Sequence, residues 1–149
     1  IRTDLINALL PSNQSHLERA LAEVDRYQVR SVGLVGLSFK AGTDDLRESP
    51  QVWLAEQLLG RGYQVKIYDP AVNVSRLVGK NQAYVEQHLP HLASLLVEQP
   101  QDVVVDSQLV ILATGVANGI SWSDFYSGPI FDLRCDLVQP PNVEKAATE

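Results

Sequence analysis

The residues from Val32 to Tyr68 constrain this chain more than any others. Val32 to Phe39 is a short, continuous apolar run containing Gly33 and Gly36, and it predicts a strand buried on both faces. A polar stretch follows, Lys40 to Glu48, and then Ser49-Pro50, a capping residue ahead of a proline suited to the first helical position. Val52, Leu54, Ala55, Leu58 and Leu59 continue a helix that Gly60 and Gly62 stop. Gln64 to Tyr68 reads as a second strand, closed by Asp69-Pro70. Strand, helix and strand at this spacing make a βαβ unit.

The flanking sequence extends the pattern. Arg2 to Leu10 places Leu5, Ile6, Leu9 and Leu10 at helical spacing, and Pro11 ends the segment. A second helix starts between Ser12 and Ser15. Ser15 and Glu18 have capping-box spacing, with Ser12 and Asn13 as alternative caps. Leu17, Ala20, Leu21, Val24 and Tyr27 form its apolar face. Downstream, Tyr84, Val85 and the run Leu92 to Val97 predict short helices broken at Pro90, and Gln101 to Asp106 another. Leu109 to Thr114 and Ile130 to Leu133 read as the third and fourth strands, with a short helix at Ser121 to Tyr126 between them.

The alternation predicts an α/β fold: a Rossmann-like, three-layer open parallel sheet with helices on both faces, preceded by an N-terminal helical segment. Right-handed crossovers place Lys40 to Glu48 and Thr114 to Gly119 at one carboxyl edge, where open α/β sheets bind ligands.

Net charge of −6 argues against broad nucleic-acid binding. No apolar run approaches the roughly 18 residues of a membrane span, and the N-terminus has no signal-peptide pattern. A single cysteine, Cys135, rules out an internal disulfide framework and fits a reducing, cytoplasmic compartment. His16, His88 and His91 lack metal-ligand spacing, and no Gly-x-Ser-x-Gly elbow supports a hydrolase. The chain has no methionine and begins with Ile1, which suggests a piece of a longer protein, with a processed N-terminus as the alternative.

A dinucleotide fingerprint needs three glycines at tight spacing, so that bare backbone meets a pyrophosphate. Gly33, Gly36 and Gly42 do not have it, and Lys40 and Arg47 stand where open backbone is expected. The expectation is a nucleotide-binding architecture without a self-sufficient NAD site. Asp69 occupies the position of a ribose-binding acid, or else forms the turn before Pro70. A lysine is a point charge suited to phosphate or a developing carboxylate. At about 4 Å and an effective dielectric near 20 such a pair has a Coulomb term of about 4 kcal/mol before desolvation.

The segment Gly-Leu-Ser-Phe-Lys-Ala-Gly-Thr-Asp-Asp-Leu-Arg-Glu-Ser-Pro, Gly36 to Pro50, resembles the C-terminal domain of the UDP-glucose/GDP-mannose dehydrogenases. The resemblance runs from about Ser12 to Leu137, weakens after Gly79, and is nearest to the GDP-mannose-oxidising members that supply GDP-mannuronate for alginate. It implies three parts: residues 1–11 as the end of a central helical linker, 12–138 as the nucleotide-sugar-binding domain, and 139–149 as a loose tail. It also implies oxidation of a C6 alcohol to a carboxylate with two NAD, through a catalytic cysteine and an NAD fingerprint that lie outside this chain. The partners implied are a nucleotide sugar, the protein's own N-terminal and central domains, and further copies in a homo-oligomer.

By the same resemblance, Lys40 and Phe39 contact the nucleotide sugar, though Phe39 also suits the core, and Arg47 contacts NAD across a domain cleft. The arginine's planar fork suits pyrophosphate oxygens, and an ion pair with Asp44, Asp45 or Glu48 is equally open to it. Asp44 and Asp45 are read as loop-ordering groups, and Thr43 as a turn residue or a site hydroxyl. Arg134 lies where some family members place another nucleotide-contacting arginine, although Asp-Leu-Arg-Cys departs from their pattern. Cys135 lacks the nucleophile's surroundings. The alternatives are a UDP-sugar dehydrogenase domain, a stand-alone nucleotide-binding domain, or a receiver-like module with Asp44 and Asp45 as its acidic pair.

Overall fold

The computed structural model describes residues 15–38, 46–47, 49–73 and 77–134. Helix α1 covers residues 15–26, β1 Ser31–Val35, α2 Pro50–Gly60 and β2 Gln64–Tyr68. Then come α3 Gly79–His88, α4 Leu92–Leu95, β3 Leu96–Val97, α5 Pro100–Val104, β4 Leu109–Leu112 and β5 Ile130–Asp132. Two 3-10 turns, Gly115–Ala117 and Trp122–Asp124, lie between β4 and β5.

The strands form one parallel sheet in the order β3-β2-β1-β4-β5. Alternate residues face opposite layers. Val32, Leu34, Val65, Ile67, Leu109 and Ile111 join the larger core cluster with Ala20, Leu21 and Val24 of α1 and Val52, Leu54, Ala55 and Leu58 of α2. Val35, Val110 and Leu112 face the other way, against Val103 and Val104 of α5 and Trp122. Each wholly buried leucine among them contributes about 2 kcal/mol of burial free energy. The α5 backbone can lie close on β1 because residue 33 is glycine: a Cβ there would stand 2.6 Å from the Val103 carbonyl oxygen.

The expected class and architecture are therefore present, with corrections in detail. The first strand ends at Val35, where Gly36 turns away at φ +100°, so it does not run on to Phe39. Ser15 is already helical and so does not cap α1; the alternative caps Ser12 and Asn13 lie outside the described residues. Tyr27 lies past the end of α1 and is 37% exposed, so it is not part of the apolar face. Leu96–Val97 is a strand rather than the end of a helix, which makes five strands among the described residues where the sequence showed four. Two residues are too few to display a period, and β3 is specified only by pairing with Ile67 and Tyr68. The proposed boundary regions 1–11 and 139–149, and Cys135, lie outside the described residues.

Candidate functional site

In this strand order the neighbours β1 and β4 are where the chain reverses its direction of travel across the sheet. A crevice opens at such a switch point, outside the carboxyl ends of the two strands. Its walls are the segments after β1 and after β4, and they meet at Gly36 and Thr114. A Cβ on Gly36 would overlap the Thr114 hydroxyl and stand 2.8 Å from its Cβ, so only glycine lets the two walls approach.

The segment after β1 is fastened on both flanks. At its start, Asp69 accepts from the backbone N–H groups of Leu37 and Ser38, each at 2.9 Å through the same oxygen. Its second oxygen accepts from the Ala71 N–H at 3.0 Å. Asp69 itself is 2% exposed. At the far end, the Ser49 hydroxyl donates to the Leu37 carbonyl at 2.7 Å and accepts from the Gln51 N–H at 3.2 Å. It thus caps α2 and ties the end of the loop to its beginning, as Ser49-Pro50 led us to expect for the cap. The buried Leu46 donates its N–H to the side-chain oxygen of Asn81 in α3, at 2.9 Å.

Between these anchors lie Phe39 and Lys40, with Thr43, Asp44 and Asp45; all five, and Glu48, fall outside the described residues. Arg47 is described: it sits in the turn between Leu46 and Ser49 and is exposed. On the β4 side the Thr114 hydroxyl accepts from the Val116 N–H at 3.3 Å and caps the first 3-10 turn. Arg134, just past β5, donates through Nε and Nη2 to the two Asp132 oxygens, each at 2.9 Å, and through Nη1 to Asn118. Its guanidinium therefore stitches β5 to the loop after β4. Sequence reasoning overlooked Asn81 and Asn118, since nothing but the tertiary fold distinguishes a polar helix or loop residue of this kind.

At the described part of the β1 turn, the Leu37 and Ser38 N–H groups are taken by the Asp69 carboxylate. Gly33 and Gly36 are pressed against Val103 and Thr114, with no room facing a ligand. Of the two roles open to Asp69, the geometry supports the turn-forming one. The strand order also departs from the 2-1-3-4-5 arrangement of receiver-type sheets.

Among the described residues no group of three His, Cys, Asp or Glu could hold a metal, and no helix is long and apolar enough to cross a membrane. His88 instead contacts Glu56 at 2.9 Å between α3 and α2, with its ring 4.2 Å from that of Tyr84.

Comparison with known proteins agrees with this geometry. Residues 33–134 match the model of the UDP-glucose/GDP-mannose dehydrogenase family, UDP binding domain. GDP-mannose 6-dehydrogenase of Pseudomonas aeruginosa is 45% identical over 111 residues, which is 74% of this chain and 26% of that protein. UDP-glucose 6-dehydrogenase of Rickettsia conorii is 29% identical over 119 residues, 80% of this chain and 24% of that one. The crystal structure of a ternary complex of GDP-mannose dehydrogenase from Pseudomonas aeruginosa superposes with a TM-score of 0.63 at 39% identity, covering 93% of this chain and 29% of the other. The chain thus spans about a quarter of the length of these relatives. With a five-stranded sheet of this order and a family match across residues 33–134, the chain belongs to the UDP-glucose/GDP-mannose dehydrogenase family, as its UDP binding domain.

Proposed function

We propose that this chain is the closing domain of an NAD-dependent nucleotide-sugar 6-dehydrogenase that oxidises GDP-mannose to GDP-mannuronate, a precursor of alginate-type polysaccharide. In this reading Lys40 and Phe39 meet the nucleotide sugar, and Arg47 reaches NAD from across the cleft. The catalytic cysteine and the NAD fingerprint come from the protein's other domains, and the piece by itself turns nothing over. The whole protein works in the cytoplasm as a homo-oligomer.

The observation that carries the reading is the fastening of the loop. Asp69, Ser49 and Asn81 fix the backbone on both sides of residues 39–45 at the sheet's switch point. Flanks so held keep both ends of that segment at the edge of the sheet where open α/β folds bind ligands. The engagement of the Leu37 and Ser38 N–H groups by Asp69 supports the assignment of NAD chiefly to another domain.

Preference for the guanine nucleotide rests on the length of the likeness. Identity with the Pseudomonas aeruginosa GDP-mannose enzyme extends over 111 residues, whereas the 54% identity with UDP-glucose 6-dehydrogenase of that organism covers 48. A UDP-sugar substrate is the second reading.

The test is turnover by the complete protein with GDP-mannose and with UDP-glucose, each with NAD. The expected result is about two NADH per GDP-mannose consumed and at least about a hundredfold lower kcat/KM for UDP-glucose, within the range that unpaired polar groups in a specific site impose. Preference for UDP-glucose, or turnover by residues 1–149 alone, would overturn the proposal.

A further inference from the structure

We infer that a cleft at the amino rim of the sheet binds a phosphate-bearing small molecule between Arg30 and Arg61. The cleft lies at the opposite edge from the crevice between β1 and β4. Its volume is about 490 Å³, and Asp25, Arg30, Arg61 and Tyr63 bring its charged and hydroxyl groups. Pairing of β1 with β2 brings these residues together: Ser31 stands opposite Gln64, and the Gln64 N–H donates to the Arg30 carbonyl at 2.8 Å. The residues just ahead of the two strands, Arg30 and Tyr63, are therefore neighbours. The connections into both strands pass through a left-handed residue, Gln28 at φ +55° and Gly62 at φ +91°, and both residues line the cleft.

The cleft is rich in open donors and poor in open acceptors. Asp25 has both oxygens engaged, one by Arg61 Nη1 and the other by the Tyr63 hydroxyl. The carbonyls that end α1 and α2 are met by main chain: Val24 and Asp25 by the N–H groups of Tyr27 and Gln28, Leu58 and Leu59 by those of Tyr63 and Gly62. Arg61 keeps its Nε and Nη2 hydrogens, and the Arg30 guanidinium has no partner among the described residues. Two guanidiniums against one carboxylate leave a single positive charge. A cation entering here meets repulsion and a carboxylate already engaged, whereas an anion meets two planar forks.

The arrangement selects phosphate among anions. Two carboxylate oxygens are matched by one guanidinium, while the three oxygens of a phosphate monoester can engage both. The cleft's size falls within the roughly 300–1,000 Å³ of small-molecule sites, which leaves room for the organic part of the ligand. An exposed ion pair adds little to stability, but Asp25 narrows the freedom of the Arg61 side chain before a ligand arrives.

The test is titration calorimetry of the complete protein with glucose 6-phosphate, comparing wild type with Arg30→Ala, Arg61→Ala and the double variant. Each single variant is expected to weaken binding about tenfold, as loss of hydrogen bonds to a charged group does, and the double variant to abolish it at this site. Binding elsewhere in the protein is common to all four and cancels in the comparison. Both arginines are exposed, so the thermal midpoint should be kept; Arg30→Gln and Arg61→Gln carry the same expectations should an alanine variant be unstable. Inorganic phosphate should show the same dependence on both arginines, glucose should not bind, and gluconate should bind less tightly than glucose 6-phosphate. Absence of binding by the wild type, or equal affinity in the wild type and the double variant, would overturn the site. Gluconate binding as tightly as glucose 6-phosphate would overturn its assignment to phosphate.

Discussion

At the carboxyl rim of the sheet, Asp69 is 2% exposed and gives both oxygens to backbone N–H groups. At the amino rim, Asp25 is 41% exposed. It lies in an open cleft of about 490 Å³, bound to the Arg61 guanidinium and, at 2.5 Å, to the Tyr63 hydroxyl. Asp69 directly follows β2, and Asp25, in the last turn of α1, meets Tyr63 just ahead of β2. The first fixes main chain that water cannot reach, and the second joins side chains that water could solvate equally well. Burial, more than the kind of residue, decides which rim has a fixed shape. An exposed ion pair contributes between about 0 and 1 kcal/mol, whereas a buried donor left without its acceptor costs about 1–3 kcal/mol. The rim with the buried network is also the rim at the switch point.

The largest effect that could break this contrast is at Asp69. Asp69→Ala leaves the Leu37 and Ser38 N–H groups without their acceptor and is expected to lower unfolding free energy by about 3 kcal/mol or more. Asp69→Asn can keep one oxygen on both of those groups, setting its NH₂ against Ala71, and should cost about half as much. Chemical denaturation of the complete protein measures both; equal and small losses would show that the loop does not depend on this carboxylate.

Gly36→Ala comes next. It adds a Cβ that overlaps Thr114 and holds alanine at φ +100°, for an expected cost of about 3 kcal/mol. A shift of less than about 1 kcal/mol would mean that the two walls of the crevice separate easily.

The amino rim supplies the smallest effect. The Tyr63 phenol is pushed up from 10.0 to about 12, first by burial and then by its hydrogen bond to Asp25. Because the proton is held more tightly in the folded state, this contribution is complete below pH 10.0. It is lost as pH rises through about 12. Asp25→Asn should bring the phenol's titration back toward its ordinary range while changing stability by no more than about 1 kcal/mol. Phenolate absorbance compared between wild type and variant reads the shift, and an unchanged titration would remove the role given to Asp25.

The sequence revealed most where a signal was local. Ser49-Pro50 marked the start of α2 and Gln64 to Tyr68 the second strand, because a cap, a proline and a period are properties of neighbouring residues. It revealed least where residues meet only in the fold. Asn81 and Leu46 are far apart in the chain, β3 is two residues long, and the closeness of Gly36 to Thr114 exists only once β1 and β4 pair. Asp69 stood between: its position at the end of β2 was visible, but which way its carboxylate turned was not. Lys40 and Arg47 were proposed from a motif; the groups that hold the backbone at Leu37, Ser38 and Leu46 required the structure.

The central proposal is that Lys40 meets the nucleotide sugar. Steady-state kinetics of Lys40→Ala in the complete enzyme, with GDP-mannose and NAD, test it most directly. The account predicts that kcat falls about a hundredfold or more while the fold and thermal midpoint are kept, the scale expected when one preorganised charge is removed from a reacting centre. A variant that turns over GDP-mannose at the wild-type rate would contradict it.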